Sequence, residues 1–432
     1  MYRLTHLARV AAVGGIMATA ACESKRDVLT LPLSDANQIF RSYVALGNSI
    51  TAGYQSGGIN DSTQRQSYAK LLAGQMGTAY HYASLNMPGC PPPIANTTTG
   101  ARVTTGAPTG APAPTSTTCY VRAAGSVTDI LNNVAVPGAR VLDPVNATTV
   151  ASNALTTLVL GGKTQAQRAL DARPTFATIW IGNNDVLEAA ATGYIVATTV
   201  VLPSPGAPLP PVTITSPGIV STQAVFQTSY DAMIKQLLDS EPGLKGVLIG
   251  VVQVAGIPLL QSGALIAASP AIQAGISQAA GRPITVDPNC TGSASLVSIP
   301  QLIPLWRAGY HPPTLSCTKG SDPLNPFVGD LYVLDATEQA TLGATITGYN
   351  TYIKGKADAT GFAYYDPNVL LAAQRALGNI PAFPNFASPT ATFGPLVSLD
   401  GVHPAAGAHK LIANDLITVI NSKYGTTLAP IP

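Results

Sequence analysis

The sequence predicts an α/β protein in which helices cover both faces of a doubly wound parallel sheet. Short apolar runs alternate along the chain with amphipathic stretches, and Gly/Asn turns follow several of the apolar runs. No internal repeat interrupts this alternation. In sheets of this class, binding sites form at the carboxyl ends of the strands. The residues that follow each predicted strand are therefore the first candidates for function.

Five segments are predicted strands because they are short, apolar or β-rich, and bounded by turn residues. They are Tyr43–Gly47, Tyr80–Leu85, Thr175–Ile181, Leu244–Val254 and Phe362–Asp366. The fourth is strongly apolar, which is typical of a strand buried on both faces of a parallel sheet.

Helices are predicted where apolar residues recur at helical spacing. The segments are Gln64–Met76, Thr222–Leu238, Ala264–Ala280, Asp335–Lys356 and a C-terminal helix. In the second helix, the predicted inner face comprises Val225, Phe226, Tyr230, Met233, Ile234, Leu237 and Leu238. The C-terminal helix is expected to have Pro404 in its first turn and to end at Gly425. Its predicted core residues are Leu411, Ile412, Leu416, Val419 and Ile420.

The sequence predicts one domain over residues 23–432, with insertions at about 88–125, 190–220 and 256–333. The chain has 40 glycines and 36 prolines, which indicates long irregular loops. Residues 200–217 are rich in proline and are expected to form a surface excursion. The apolar helix of the largest insertion is expected to build that insertion's own core. A movable lid is the alternative.

Composition and the lack of one motif argue against nucleic acids and nucleotides as partners. Hydrophobic residues make up 46% of the chain, so a sizeable core is expected, and charged residues make up only 10%. The formal net charge is +2 without a Lys/Arg stripe, which argues against nucleic acid. A nucleotide partner is excluded as well, because the chain lacks a Gly-rich phosphate loop with Lys.

Residues 1–22 are predicted to be an export signal. Arg3 and Arg9 precede a weakly apolar stretch, and Thr19-Ala20-Ala21-Cys22 resembles a bacterial lipoprotein signal in which Cys22 is lipidated. Thr19 stands where Leu is usual, so an ordinary secretory signal is the alternative. No later stretch is long and apolar enough to span a bilayer. Any membrane attachment is therefore expected to come from lipid on Cys22.

The remaining four cysteines allow three pairings. We favour Cys90–Cys119 and Cys290–Cys317, because each pair closes one Gly/Pro-rich loop. A metal site is the weaker alternative, since no Cys-x-x-Cys motif or His cluster accompanies these cysteines.

Three segments at predicted strand ends or before the last helix carry unusual polar residues: 47–51, 182–185 and 400–404. Acyl-transfer chemistry needs a nucleophile, a base, a group that orients the base, and donors for the oxyanion. Ser49 is the candidate nucleophile and His403 the candidate base. Asp400 lies three residues before His403, a spacing that lets its carboxylate reach the imidazole in a tight turn.

The oxyanion is expected to be held by the Asn184 side-chain amide and by the backbone N–H groups of Ser49 and Gly138. Each of these residues by itself has an ordinary structural interpretation as a turn, cap or loop residue. Asp185 is expected to hold the loop. The interpretation as a site depends on all of these residues occurring together after strands or before a helix.

These segments resemble the conserved blocks of the SGNH/GDSL hydrolases. Gly47-Asn48-Ser49-Ile50 is similar to the first block, usually Gly-Asp-Ser-Leu, with Asn48 in place of Asp. Asn133 to Gly138-Ala139 is similar to the second block. Gly182-x-Asn184-Asp185 matches the third and Asp400-x-x-His403 the fifth. The resemblance implies a flavodoxin-like, three-layer α/β/α fold and an esterase, lipase or deacylase that uses no metal and no cofactor.

The expected function is therefore that of an exported serine esterase or lipase, acting as a monomer on a lipid, a small ester or an acetylated glycan. A glycan O-deacetylase is the alternative within the same chemistry. A non-catalytic cell-envelope binding protein on this fold is the alternative outside it.

Overall fold

The computed structural model describes residues 38–120, 130–146, 154–202, 204–206, 208–216, 218–318 and 332–432. The predicted signal at residues 1–22, Cys22 and the boundary at residue 23 lie outside these residues and stay predictions. None of the helices within the described residues combines the length and apolarity that crossing a bilayer requires.

The strands of the described residues, in chain order, are β1 (Tyr43–Gly47), β2 (Phe176–Trp180), β3 (Thr198–Leu202), β4 (Val212–Ser216), β5 (Lys245–Ile249), β6 (Gln261–Ser262), β7 (Thr285–Val286), β8 (Leu296–Val297), β9 (Thr314–Leu315), β10 (Val333–Leu334) and β11 (Ala363–Tyr365). The α-helices are α1 (Ser49–Ala52), α2 (Asp61–Arg65), α3 (Tyr68–Met76), α4 (Ala154–Leu160), α5 (Gln165–Leu170), α6 (Leu187–Thr192), α7 (Gln223–Ser240), α8 (Gly263–Ala268), α9 (Pro270–Ala280), α10 (Ile299–Ala308), α11 (Ala336–Thr360), α12 (Pro367–Ala376) and α13 (Ala406–Tyr424).

The central sheet has the strand order β1-β2-β5-β11, and each neighbouring pair is parallel. All four carboxyl ends therefore lie along one edge. An irregular segment runs beside β1: Ala45 donates its N–H to Asn132 O (2.7 Å), and Val136 donates to Gly47 O (3.2 Å). These bonds bring the turn after Val136 next to the end of β1.

The strands are buried on both faces because their side chains alternate between two helical layers. Val44 and Leu46 pack into the core that includes α7 and α11. Tyr43 and Ala45 pack into the opposite core, which includes α3 and α13. The predicted three-layer α/β/α architecture is confirmed.

Four of the five predicted strands are present as β1, β2, β5 and β11. The prediction for Tyr80–Leu85 is wrong, because this segment forms only an isolated bridge at Tyr82. The Gln64 side chain takes the place of a neighbouring strand: its amide donates to Ala83 O (2.9 Å), and its oxygen accepts from Leu85 N–H (3.0 Å).

Two predicted helices are each split in two by a capping serine. Ser67 caps α3 through Lys70 N–H, so residues 64–76 are not one helix. Ser269 caps α9, and Pro270, which has no N–H to continue the preceding helix, begins it.

The helices α7, α11 and α13 are present, and each differs from its prediction in one detail. In α7, Val225 is 40% exposed and does not belong to the inner face. α11 extends to Thr360, beyond the predicted Lys356. α13 begins at Ala406 and not at Pro404, because Pro404 forms a bridge with Val397. The residues 200–217 include part of an antiparallel hairpin of β3 and β4, which a proline-rich composition did not indicate.

Residues 266–317 of the largest insertion contribute to a second, smaller core, which also includes Tyr194 and Leu202. Ile266 and Ile276 of α8 and α9 are buried there with Trp306. The predicted helix in this insertion is therefore confirmed as insertion core, although it is divided into α8 and α9.

The structure confirms both favoured disulfides, Cys90–Cys119 and Cys290–Cys317. Disulfides form and persist in oxidising compartments. The two bonds therefore support export of the chain from the cytoplasm.

Candidate active site

Ser49 lies at the first position of α1, directly after the end of β1. A Cβ at Gly47 would lie 2.5 Å from Thr51 Oγ1 and 2.6 Å from Trp180 O, so only glycine fits where the chain leaves the sheet. Asn48 caps the helix, since its Oδ1 accepts the Ile50 N–H at 3.1 Å. An aspartate would make the same bond, so Asn48 keeps the same turn as the Asp of the sequence blocks that this segment resembles.

His403 joins Ser49 to Asp400 across the end of the sheet. His403 Nε2 lies 2.8 Å from Ser49 Oγ, and His403 Nδ1 lies 2.8 Å from Asp400 Oδ2. Ser49 is 7% exposed. The imidazole therefore has one nitrogen on a hydroxyl and the other on a carboxylate. This is the arrangement that acyl-transfer chemistry requires of a base.

Five donors point at the Asp400 carboxylate. Its Oδ2 accepts from the His403 ring and from Gly57 N–H (2.7 Å). Its Oδ1 accepts from the backbone N–H groups of Val402 and His403 (2.9 Å each) and from the Ser398 hydroxyl (3.1 Å). Burial alone would raise the pKa of Asp400. The His403 imidazole and the backbone donors outweigh burial and hold that pKa far below its usual range.

Two of the predicted oxyanion donors, Ser49 and Asn184, follow neighbouring strands, and the third, Gly138, lies in the irregular segment beside β1. Ala139 donates to Val136 O (3.1 Å) across a turn whose central residues are Pro137 and Gly138, and Gly138 has a φ of +84°. Pro followed by a left-handed Gly is the sequence of a type II turn. Asn184 Nδ2 donates to Ala139 O at 2.9 Å. An amide nitrogen carries two protons, so this bond leaves the second N–H of Asn184 for another acceptor.

Asp185 ties the same turn to the helical layer. Its carboxylate accepts the Val141 N–H at 2.9 Å and the Ser221 hydroxyl at 2.5 Å. Burial raises the pKa of Asp185 to about 6, and the two hydrogen bonds limit the rise. These contacts match the structural role that we predicted for this residue.

The other histidines of the described residues do not compete for the role of base. His409 is fully buried in α13, where Nδ1 accepts the Tyr68 N–H (3.2 Å), and burial lowers its pKa to about 3. His311 lies against Trp306 in the insertion core. His81 is exposed and donates its N–H to Asn132 Oδ1.

Sequence reasoning missed three residues of this site. Gly57 and Ser398 donate to Asp400, and the Tyr54 ring packs 5.0 Å from the His403 ring, centroid to centroid. Ser56-Gly57-Gly58 is recognisable as a turn in the sequence. Nothing local, however, indicates that its amide meets a carboxylate more than 300 residues further along the chain.

An apolar cavity of about 100 Å³ is lined in part by residues next to the site in the sequence and not by the site residues themselves. Ile50 and Val402, the chain neighbours of Ser49 and His403, line it together with Leu370 and Leu371 of α12. Within the described residues, no three His, Cys, Asp or Glu side chains are grouped so that they could hold a metal ion.

The chain was compared with known proteins. No curated protein matches it. Among solved structures, it is similar to an extracellular lipase from Streptomyces rimosus, with 14% identity, 88% of this chain and 99% of that chain covered, and a TM-score of 0.30. The family of GDSL-like lipases/acylhydrolases matches residues 43–416, which include all the residues of the site described above. The chain therefore belongs to the GDSL-like lipase/acylhydrolase family and is a hydrolase of carboxylic esters.

Proposed function

We propose that the chain hydrolyses esters by a Ser-His-Asp mechanism. The observation that carries the proposal is the 2.8 Å contact between His403 Nε2 and Ser49 Oγ. Ser49 Oγ attacks the ester carbonyl while His403 takes the hydroxyl proton. His403 then protonates the leaving alcohol. Water, deprotonated by the same imidazole, releases the acid. Asp400 keeps the Nδ1–H tautomer and stabilises the imidazolium.

In this proposal the negative charge of the tetrahedral intermediate is held by three donors. They are the backbone N–H groups of Ser49 and Gly138 and the second N–H of the Asn184 amide. Support comes from the hydrogen bond between Asn184 Nδ2 and Ala139 O, because it holds Asn184 close to the turn that contains Gly138. Such donors stabilise the transition state more than the ground state, because the charge develops during the reaction.

The test is a serine replacement with a matched control. Ser49→Ala is expected to abolish turnover of p-nitrophenyl butyrate and covalent labelling by a fluorophosphonate. Ser240→Ala, at the exposed end of α7, is expected to leave both unchanged. Full activity of folded Ser49→Ala protein would refute the mechanism.

We also propose that the acyl group is an apolar chain longer than acetyl. The cavity beside Ile50 and Val402 is lined mainly by apolar side chains, which do not compensate a sugar for its lost water contacts. Leu371→Trp, which adds volume at this cavity, is expected to reduce kcat/KM for hexanoate esters and to spare acetate esters. Equal reduction for both chain lengths would contradict this assignment.

The two alternatives give different results in the same assays. A glycan O-deacetylase would release acetate from an acetylated polysaccharide faster than it cleaves hexanoate esters. A non-catalytic binding protein would not react with the fluorophosphonate.

We propose further that the exported chain is anchored by lipid on Cys22. The support is the small-residue run Thr19-Ala20-Ala21 before this cysteine. Metabolic labelling with an alkynyl fatty acid is expected to mark the wild type and not Cys22→Ser. Equal labelling of both would refute the anchor.

A further inference from the structure

Residues 55–58 form a tight turn with an uncommon backbone. Gln55 and Gly58 exchange two hydrogen bonds, Gln55 N–H to Gly58 O (2.8 Å) and Gly58 N–H to Gln55 O (3.1 Å). Ser56 has a φ of +55° and Gly57 a φ of +64°. Two successive left-handed residues are typical of a type I′ turn. Serine rarely adopts this conformation, so surrounding contacts must hold Ser56 there.

Those contacts connect the turn to the loop that carries Asp400. Ser56 N–H donates to Ser398 Oγ (2.8 Å), and Leu399 N–H donates to Ser56 Oγ (3.0 Å). Gly57 N–H donates to Asp400 Oδ2 (2.7 Å), the same oxygen that faces the His403 ring. The orientation of the carboxylate toward the imidazole therefore depends on where the turn places Gly57 N–H.

The opposite side of the turn is held by Arg102. Its Nη1 donates to Gly57 O (2.9 Å) and to Pro92 O (2.6 Å). Ile94 N–H donates to Ser56 O (2.7 Å). Pro92, Ile94 and Arg102 all belong to the loop closed by the Cys90–Cys119 disulfide. A half-buried guanidinium thus links this loop to the turn, and among the described residues it forms no ion pair with a carboxylate.

We propose that Arg102 and Ser56 are positioning residues for the reaction. They act through Gly57 on Asp400, and through Asp400 on the His403 ring. Among the described residues, neither side chain forms a hydrogen bond with Ser49. This inference depends on the proposed Ser-His-Asp mechanism. Because the base must meet the hydroxyl within a few tenths of an ångström, a small displacement of the carboxylate lowers the rate.

The experiment compares three arginine variants of the full chain on p-nitrophenyl butyrate. Arg102→Met keeps the length of the side chain and removes its donors, and Arg102→Lys keeps the charge and one donor group. Arg65→Met is the control, since Arg65 is exposed and pairs only with Asp61 among the described residues. We expect Arg102→Met to lower kcat about tenfold with KM within twofold, Arg102→Lys to recover part of the loss, and Arg65→Met to match the wild type.

A spectroscopic readout separates positioning from general destabilisation. The low-field proton signal of the His403 Nδ1–H, assigned by its loss in His403→Ala, is expected to shift upfield or broaden in Arg102→Met. Ser56→Gly provides a second route, because glycine adopts the same φ without strain and only the hydroxyl is lost. It is expected to lower kcat and move the same signal while the protein stays folded.

The inference is overturned if folded Arg102→Met and Ser56→Gly both keep kcat within twofold of the wild type and leave the imidazole signal in place. It is also overturned if Arg102→Met changes KM alone, since the residue would then act on substrate binding. If Arg102→Met does not fold, Ser56→Gly and Arg102→Lys decide the question. Activity of Ser49→Ala would instead refute the underlying mechanism, so the two failures are distinguishable.

Discussion

Replacing Asp400 by Asn tests how much of the activity depends on the tautomer of His403. The substitution keeps the shape of the side chain and turns one oxygen into an NH₂ group. At the Oδ1 position, that group would face two fixed backbone donors, Val402 N–H and His403 N–H. At the Oδ2 position, it would face one fixed donor, Gly57 N–H, and the His403 ring, which can change tautomer. The amide oxygen is therefore expected to stay at the Oδ1 position.

The consequence is that the NH₂ group faces His403 Nδ1. The ring then accepts at Nδ1 and carries its proton on Nε2, the nitrogen 2.8 Å from Ser49 Oγ. A protonated Nε2 cannot take the serine proton, so kcat is expected to fall by about 10⁴-fold, the loss seen when such a base is held in the wrong tautomer. The Gly57 N–H that loses its acceptor is expected to cost about 1–3 kcal/mol in the free energy of unfolding.

The assay measures kcat and KM for p-nitrophenyl butyrate, together with urea unfolding to show that the variant is folded. Asp239→Asn is the matched control, because Asp239 is exposed on α7 and, within the part of the chain that the structure describes, forms only a surface ion pair with Lys235. A folded Asp400→Asn protein with kcat within tenfold of the wild type would refute the reasoning, because His403 would not need the carboxylate.

Three further predictions follow from other contacts. Asn184→Ala is expected to lower kcat by about 10²-fold or more with little change in KM, measured by steady-state kinetics, because the variant lacks one of the three oxyanion donors that we propose. Burial raises the pKa of Asp185 to about 6, whereas in the unfolded chain this carboxyl has its usual pKa of 3.8. Its ionisation therefore lowers the free energy of unfolding as pH rises from about 4 to 6. Asp185→Asn is expected to reduce the loss in free energy of unfolding between pH 4 and pH 7, measured by urea unfolding, by about 3 kcal/mol. The same loss in the variant and the wild type would contradict this prediction. The double variant Cys90→Ser/Cys119→Ser lacks a disulfide between cysteines 29 residues apart. Its free energy of unfolding in urea is expected to be about 3–4 kcal/mol lower than that of the wild type.

The fold class could be predicted because burial in a parallel sheet leaves a local pattern. β1 and β5 are apolar on both faces, so their sequences are nearly continuous apolar runs. Tyr80–Leu85 is β-rich, with apolar residues interrupted by His81 and Ser84, and is not a regular strand. The reason is that the backbone of Ala83 and Leu85 is paired by the side chain of Gln64, and such a side-chain partner leaves no periodicity in the sequence.

The positions at which helices begin were mispredicted because they depend on side-chain caps, which apolar spacing does not reveal. Ser67 and Ser269 lie inside segments that look continuous in apolar spacing, yet each accepts an N–H bond that starts a new helix. The start of α13 was displaced from Pro404 by a pairing with Val397, a residue of the preceding loop.

For the site, the sequence by itself determined which chemical groups are available: a hydroxyl after β1, an amide after β2, and a carboxylate and imidazole three residues apart before α13. The parallel sheet collects the ends of β1 and β2 at one edge, which brings the hydroxyl and the amide together. His403 lies in the loop before α13, and its approach to Ser49 was indicated by the resemblance to the SGNH/GDSL blocks. The support of Asp400 by Gly57, Ser398 and Arg102 was decided only by the tertiary structure. Gly57 uses its backbone N–H and C=O, groups that almost every residue carries, and the Ser398 hydroxyl and the Arg102 guanidinium bond to partners that no local pattern indicates, so the sequence does not mark these bonds in advance.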